Sequence, residues 1–331
     1  MLILIHYRTK YMQLITIGDI TDTYIKIKQK GFNSMLSKLG FNKNRRVESK
    51  WNEKQSIGGF WHIPFFMQHW NKVITGDANI NYPKYFCAKY LQKNQKYTLL
   101  SIGCGTGFYE REFAKQKCFA ELIGIELSEN RIKEAQKLAT DSNLNIKYLN
   151  KNFYDIDFKS EKFDVILFNS SLHHFDNIEM FLPQYIKALL KQNGYLVICE
   201  YVGKNRVYIP NFQLKEINKL IKTIPLKYRQ YFGTSNYKNK VYSPGSIRMR
   251  LNDPSEAVDS ESILPTLHKY FYTLEEKQLG CNLIMPLMRG IAYNFAYDDD
   301  ETMQILHAIL EADSNFMQQY SISDFIFGVY Q

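Results

Sequence analysis

Three glycines at alternating positions, Gly103, Gly105 and Gly107, follow the apolar run Leu99-Leu100-Ser101-Ile102 and precede Phe108-Tyr109-Glu110, an order that reads as strand, turn and helix. Such a turn lets backbone approach a ligand that any Cβ would hold away. About 20 residues on, at the end of the next apolar run, stands Glu126. A carboxylate there can accept hydrogen bonds from two ribose hydroxyls, so the spacing describes a nucleoside site. In a dinucleotide turn, G-x-G-x-x-G, the third glycine permits close helix packing and the helix start holds a pyrophosphate. Phe108 occupies that third position here. The departure disfavours NAD(P) and fits a smaller cofactor without phosphate.

A second group could move protons. His173 and His174 follow the apolar run Phe163 to Asn169, and Glu200 and Tyr201 end the run Tyr195 to Tyr201. Open α/β sheets bind ligands at the carboxyl ends of their strands, where all four would lie. Histidine titrates near neutrality, so either imidazole could serve as a general base. Glu200 and Tyr201 are candidate acceptor-binding residues, with an ion pair and a buried hydroxyl as the structural alternatives. Arg111, a turn into the first helix, could meet a cofactor carboxylate or a neighbouring acid. The five cysteines, Cys87, Cys104, Cys118, Cys199 and Cys281, form no C-x-x-C pair and read as reduced core thiols of a cytoplasmic protein. No metal site is read from the sequence.

The elements that must position these residues come next. Strands are expected at Tyr97 to Ile102, Glu121 to Glu126, Ile146 to Leu149, Phe163 to Asn169 and Tyr195 to Tyr201, with helices between them. The segment Ser128 to Asp141 should be a helix capped by Ser128, with Ile132, Ala135, Leu138 and Ala139 as its apolar stripe. A strand-like Tyr270 to Glu276, a helix from Asp299 to Ala312 and a last strand within Ser323 to Tyr330 complete the sheet. The expected fold is a doubly wound, Rossmann-like α/β sheet of seven strands, mostly parallel with an antiparallel last strand, plus a helical insertion. Along the chain this gives a basic amino-terminal arm (1–55), an aromatic-rich helical cover (56–96), the cofactor-binding core (97–203), an insertion expected to form a substrate lid (204–268) and a carboxyl-terminal completion of the sheet (269–331).

Composition bounds the rest. With 331 residues, 45% of them hydrophobic, the chain can bury a sizeable core. No apolar run approaches the roughly 20 residues that span a bilayer, and Met1 to Ile5 is broken by His6, Arg8 and Lys10 before a signal sequence can form. The net charge of +9 would suit nucleic acid, an anionic membrane surface or phosphorylated substrates, and equally a lysine-rich solvated surface.

Ser101 to Tyr109, Gly124 to Ser128, Phe163-Asp164-Val165 and Asn169 to Phe175 together resemble successive motifs of the class I S-adenosylmethionine-dependent methyltransferases. The resemblance covers about a third of the chain, residues 97 to 203. It implies S-adenosylmethionine as cofactor, with Gly103, Cys104, Gly105, Thr106 and Gly107 along the methionine and ribose, Glu126 and Leu127 at the ribose, and Asn169 presenting backbone to the methionine end. The adenine-recognising acid of the family falls at Asn152, before Phe153, with Asp155 and Asp157 as competitors. Asn169-Ser170-Ser171-Leu172 lacks the two prolines and aromatic of base amino-methylating enzymes, and no Pro-Cys is present, so nucleic acid is disfavoured. The segment Leu251 to Pro265 with Gly290 to Phe295 resembles bacterial methyltransferases of surface-glycan or secondary-metabolite pathways, which implies O-methylation of a sugar or other small molecule. The alternatives are an oxidoreductase on a related fold and a catalytically idle scaffold.

Overall fold

The computed structural model describes residues 13–30, 59–158 and 161–331. Apart from residues 13–30, the expected basic arm lies outside the described residues. Among the described residues the helices α1 (Ile17–Lys30), α2 (Pro64–Thr75) and α3 (Tyr82–Tyr90) come first, followed by β1 (Tyr97–Ile102), α4 (Phe108–Ala114), β2 (Phe119–Glu126), α5 (Glu129–Asp141), β3 (Lys147–Asn150) and β4 (Phe163–Asn169). After α6 (Ile178–Phe181) and β5 (Leu190–Tyr201) come α7 (Asn211–Thr223), α8 (Ser246–Asn252), α9 (Ile263–Tyr270), β6 (Thr273–Gly280), α10 (Ile284–Met288), α11 (Asp300–Tyr320) and β7 (Phe325–Tyr330).

The strands form one seven-stranded sheet in the order β3-β2-β1-β4-β5-β7-β6. β1 to β5 pair in parallel, and β7 runs antiparallel to both β5 and β6. The order reverses between β1 and β4, and the crevice above that switch point is where such sheets take ligands. Because β strands point successive side chains to opposite faces, Val165, Leu167 and Val197 enter one core with α2, α3, α7 and α11. Ile166, Phe168, Leu196 and Ile198 enter the other, with α6 and α9. Both faces of the central strands are buried, which explains their unbroken apolar sequences.

The differences from the expected boundaries have local causes. β5 begins at Leu190, because Leu190 pairs with Phe163 beyond a register irregularity that the polar Lys191-Gln192-Asn193 obscures. β6 starts only at Thr273, since α9 runs to Tyr270. α11 continues past Ala312 to Tyr320, because Asp313, polar in sequence, points inward to accept from the N–H groups of Cys281, Leu283 and Ile284. Residues 204–268 are packed into the molecule: Ile217 and Ile221 of α7 are fully buried. The five cysteines are free thiols, with the sulfurs of Cys87 and Cys118 3.3 Å apart.

Candidate active site

The turn between β1 and α4 is tied to β2 by the Gly103 and Cys104 N–H groups, which both donate to the Ile125 carbonyl at 2.8 and 2.9 Å. All three glycines have positive φ, which disfavours any side chain. They differ in what the missing Cβ spares. At Gly103 it would collide with Ser171 Cβ at 2.6 Å, and at Gly107 with the Tyr148 hydroxyl, so these two permit protein packing. At Gly105 the only atom of another described residue, its chain neighbours aside, within 4 Å of such a Cβ is Arg131 Nη1, at 3.6 Å. Gly105 therefore opens onto the cavity rather than onto protein. Phe108, in the place of a third dinucleotide glycine, starts α4 half exposed.

Glu126 ends β2 beside this opening, with Oε2 accepting from Gly105 N–H at 3.0 Å and Oε1 from Ser128 N–H at 2.9 Å. Each oxygen keeps a second lone pair, so the carboxylate is oriented by backbone without being used up. Ser128 caps α5 through Arg131 N–H, as its sequence position indicates. Asn152 Oδ1 accepts from Tyr154 N–H at 3.1 Å, capping the short turn Phe153–Asp155 and leaving one lone pair for a ligand. Asp155 lies on the cavity wall; Asp157 is not among the wall residues. Arg111 Nη1 donates to the Thr106 carbonyl at 2.6 Å, so it braces the turn.

A buried acid that sequence reading passed over, Glu110, sits under the turn. Ser101 Oγ donates to its Oε1 at 2.5 Å, while Oε2 has no hydrogen-bond partner among the described residues. Burial pushes its carboxyl up to about 7. Its sequence signal is slight, because Glu110 is followed directly by Arg111 and Glu112 and reads as one of a run of charged helix residues.

Across the switch point, Asn169 Oδ1 accepts from the Tyr82 hydroxyl at 3.0 Å, joining α3 of the cover to the end of β4. His174 lies on the cavity wall, next to Ser255 from the long segment after β5. His173 turns inward, its Nδ1 bonded to Glu200. Glu200 and Tyr201 stand behind the wall rather than on it. Glu200 is fully buried and also accepts from the N–H groups of Ser171, Leu172 and Tyr201 at 2.6–2.7 Å, while the Tyr201 hydroxyl donates to the Lys204 carbonyl. Glu200 thus positions the loop and the imidazole. Burial disfavours the His173 cation, but the carboxylates of Glu200, Glu256 and Asp253 together outweigh it and the pKa is raised; burial and the adjacent His173 push His174 down to about 4. Trp61, His62 and Met67 of the cover complete the wall, and Glu256 reaches within 3.9 Å of His173 Nε2. These contributors from distant segments carry no local sequence signature.

The cavity measures about 1140 Å³. Single ligand sites are usually about 300–1,000 Å³, so there is room for a nucleoside and a second molecule. The methyltransferase-domain family model matches residues 100–198, which span the turn, Glu126 and the histidine loop. The chain carries a class I S-adenosylmethionine-dependent methyltransferase domain. A ubiquinone biosynthesis O-methyltransferase of Rhodopseudomonas palustris (strain TIE-1) is 33% identical over 112 residues, 34% of this chain and 43% of that protein. The chain therefore spans less than half the length of that relative. A sterol 24-C-methyltransferase of Debaryomyces hansenii is 21% identical over 272 residues, covering 76% of this chain and 69% of the relative. Among solved structures, the geranyl diphosphate C-methyltransferase of Streptomyces coelicolor A3(2) aligns with 88% of this chain and 98% of its own at 12% identity and a TM-score of 0.49. Along one side the cavity presents an open Gly105 face, a backbone-held carboxylate with spare lone pairs at Glu126 and an adjoining apolar wall at Phe153.

Proposed function

We propose that this chain transfers the methyl group of S-adenosylmethionine to a hydroxyl of a small-molecule or sugar acceptor. The reading rests above all on the Gly105–Glu126 unit: a glycine face open to the cavity and a carboxylate held beside it by that glycine's own N–H. In this assignment Gly103, Cys104, Gly105, Thr106 and Gly107 line the methionine and ribose, Glu126 and Leu127 bind the ribose, Asn152 and Phe153 meet the adenine, and Asn169 borders the methionine. The cofactor supplies an electrophilic methyl on a sulfonium. Transfer is an in-line displacement, so the chain's work is to align the acceptor, exclude water and activate its oxygen.

His173 and His174 are the proposed catalytic pair: His174, on the cavity wall, meets the acceptor hydroxyl, and His173 stands behind it, held by Glu200. Trp61 and Tyr109 line the same cavity and offer flat apolar surfaces to a sugar or aromatic ring. Residues 204–268, reaching the cavity at Ser255, bound the acceptor end, and residues 59–96, the described part of the expected cover, lie over it. The free thiols suit the cytoplasm. No helix among the described residues is long and apolar enough to cross a membrane.

Calorimetry with S-adenosylhomocysteine, NAD and NADP tests the cofactor assignment, followed by a methyl-transfer screen over hydroxylated small molecules and sugars. S-adenosylhomocysteine is expected to bind and Glu126→Ala to lose it. Tight NAD binding without S-adenosylhomocysteine binding would overturn the proposal.

A further inference from the structure

We propose that His173, His174 and Glu256 form a site for a first-row divalent cation of the zinc type at the acceptor end of the cavity. One nitrogen from each ring and one Glu256 carboxylate oxygen lie within 4.8 Å of one another. Nε2 of His173 is 3.9 Å from Glu256 Oε1, and the two rings are 4.1 Å apart between centroids. A tetrahedral zinc ion about 2.1 Å from each donor holds donors about 3.4 Å apart. The set must therefore draw in by about 1.4 Å at its widest separation to reach that geometry, and Glu256, one-third exposed, is the ligand with room to move.

The hydrogen bonds behind the rings are the second observation. Nδ1 of His173 faces the Glu200 carboxylate, and Nδ1 of His174 faces the Ser255 carbonyl at 3.2 Å. Oxygen acceptors at Nδ1 hold the proton there and make Nε2 the donor atom, the outer arrangement that accompanies histidine ligands. Glu200 is itself fixed by three backbone N–H groups, so the ring it orients cannot drift.

Charge and position agree. Glu200, Glu256 and the buried Asp253, which accepts from Ser255 N–H and Oγ, set three carboxylates around two imidazoles. Two imidazoles and one carboxylate suit zinc-type ions, whereas magnesium and calcium take oxygen shells. Three protein ligands leave a further coordination position, and His174 and Ser255 border the cavity on that side.

A hydroxyl bound at that position is more acidic than in water. Its proton leaves to solvent, its oxygen forms the bond to the methyl carbon, and the sulfur–methyl electron pair returns to sulfur as the neutral thioether. This role rests on the methyltransferase reading; the binding of the cation does not.

The test uses the full chain after chelation, titrated with Zn²⁺ against a chromogenic competitor and with Mg²⁺ as control. Co²⁺ is added in parallel for its visible absorption, and S-adenosylhomocysteine binding is measured on every sample. One equivalent of Zn²⁺ is expected, with no Mg²⁺ uptake and a Co²⁺ band of four- or five-coordinate strength. Glu256→Gln and His174→Asn should each weaken Zn²⁺ at least about tenfold with S-adenosylhomocysteine affinity unchanged. Glu256→Gln is the primary variant because Glu256 is partly exposed, and His173 is too closely tied to Glu200 to replace safely. Absence of stoichiometric Zn²⁺, or affinity indifferent to both substitutions, overturns the site. Zinc bound normally by a chain that ignores S-adenosylhomocysteine supports the site while sinking the methyltransferase reading.

Discussion

Glu126 and Glu200 end strands on opposite sides of the switch point, and both are held by backbone N–H groups, yet they are built for different work. Glu126 accepts from two such groups and stays at the cavity with lone pairs to spare. Glu200 accepts from three and from His173 Nδ1 and is sealed from solvent. A carboxylate with unused capacity recognises; one that is saturated positions. Which it becomes depends on how many donors the surrounding loop supplies, not on the residue type or its place at a strand end.

Substitutions can break this contrast. The largest effect is expected from Glu200→Ala, which strands three buried N–H groups and an imidazole and should cost about 3–5 kcal/mol, read from the urea unfolding midpoint. Glu126→Ala should instead leave the urea midpoint less affected while S-adenosylhomocysteine affinity falls at least about a hundredfold by calorimetry, since hydrogen bonds to a charged group contribute about 1.5–3 kcal/mol each. If the two variants showed the same balance of stability and affinity losses, the division between recognition and positioning would fail.

Glu110 sharpens the comparison, being a carboxyl with one partner and an orphaned oxygen. Its folded pKa of about 7 lies above the ordinary 4.5. The protonated form therefore favours the folded state, and its contribution is complete below pH 4.5 and lost as pH rises through 7. Glu110→Gln should abolish that loss, making the variant more stable than the parent at pH 8 by on the order of 1–3 kcal/mol, with little difference at pH 4. Thermal unfolding at the two pH values checks the sign. The smallest effect is reserved for Ser128→Ala: about 1 kcal/mol from the lost helix cap, with cofactor affinity intact, because Glu126 is held by the Ser128 N–H rather than its hydroxyl.

The two ends of the cavity also differ in how far they can be read from the chain alone. The turn, Glu126 and the Ser128 cap fall within one strand–helix–strand stretch, so residue types, spacing and periodicity suffice to bring them together. The split among the glycines does not follow from spacing, because it depends on Ser171 and Tyr148 approaching Gly103 and Gly107 from elsewhere. At the acceptor end, His173 and His174 were visible as a pair. Their division into one inward and one cavity-facing ring is set by Glu200 and by Ser255, which arrives through a segment whose path no local pattern specifies. Trp61 and Met67, in a run of aromatics that reads first as core packing, gained their place on the wall only through tertiary packing.

The position of β7 between β5 and β6 orders events during synthesis. β6 emerges from the ribosome well before β7, but its strand neighbour is β7, so it must wait unpaired while α10 and α11 are made. Its sequence is suited to waiting: Glu275-Glu276-Lys277-Gln278 places charge along the open edge and discourages pairing with other chains. β5, with Leu196, Val197 and Ile198, has no such protection along its outer edge until β7 arrives. Slowed translation across residues 300–324 would prolong that exposure, making the nascent chain, rather than the finished fold, the form most prone to aggregate.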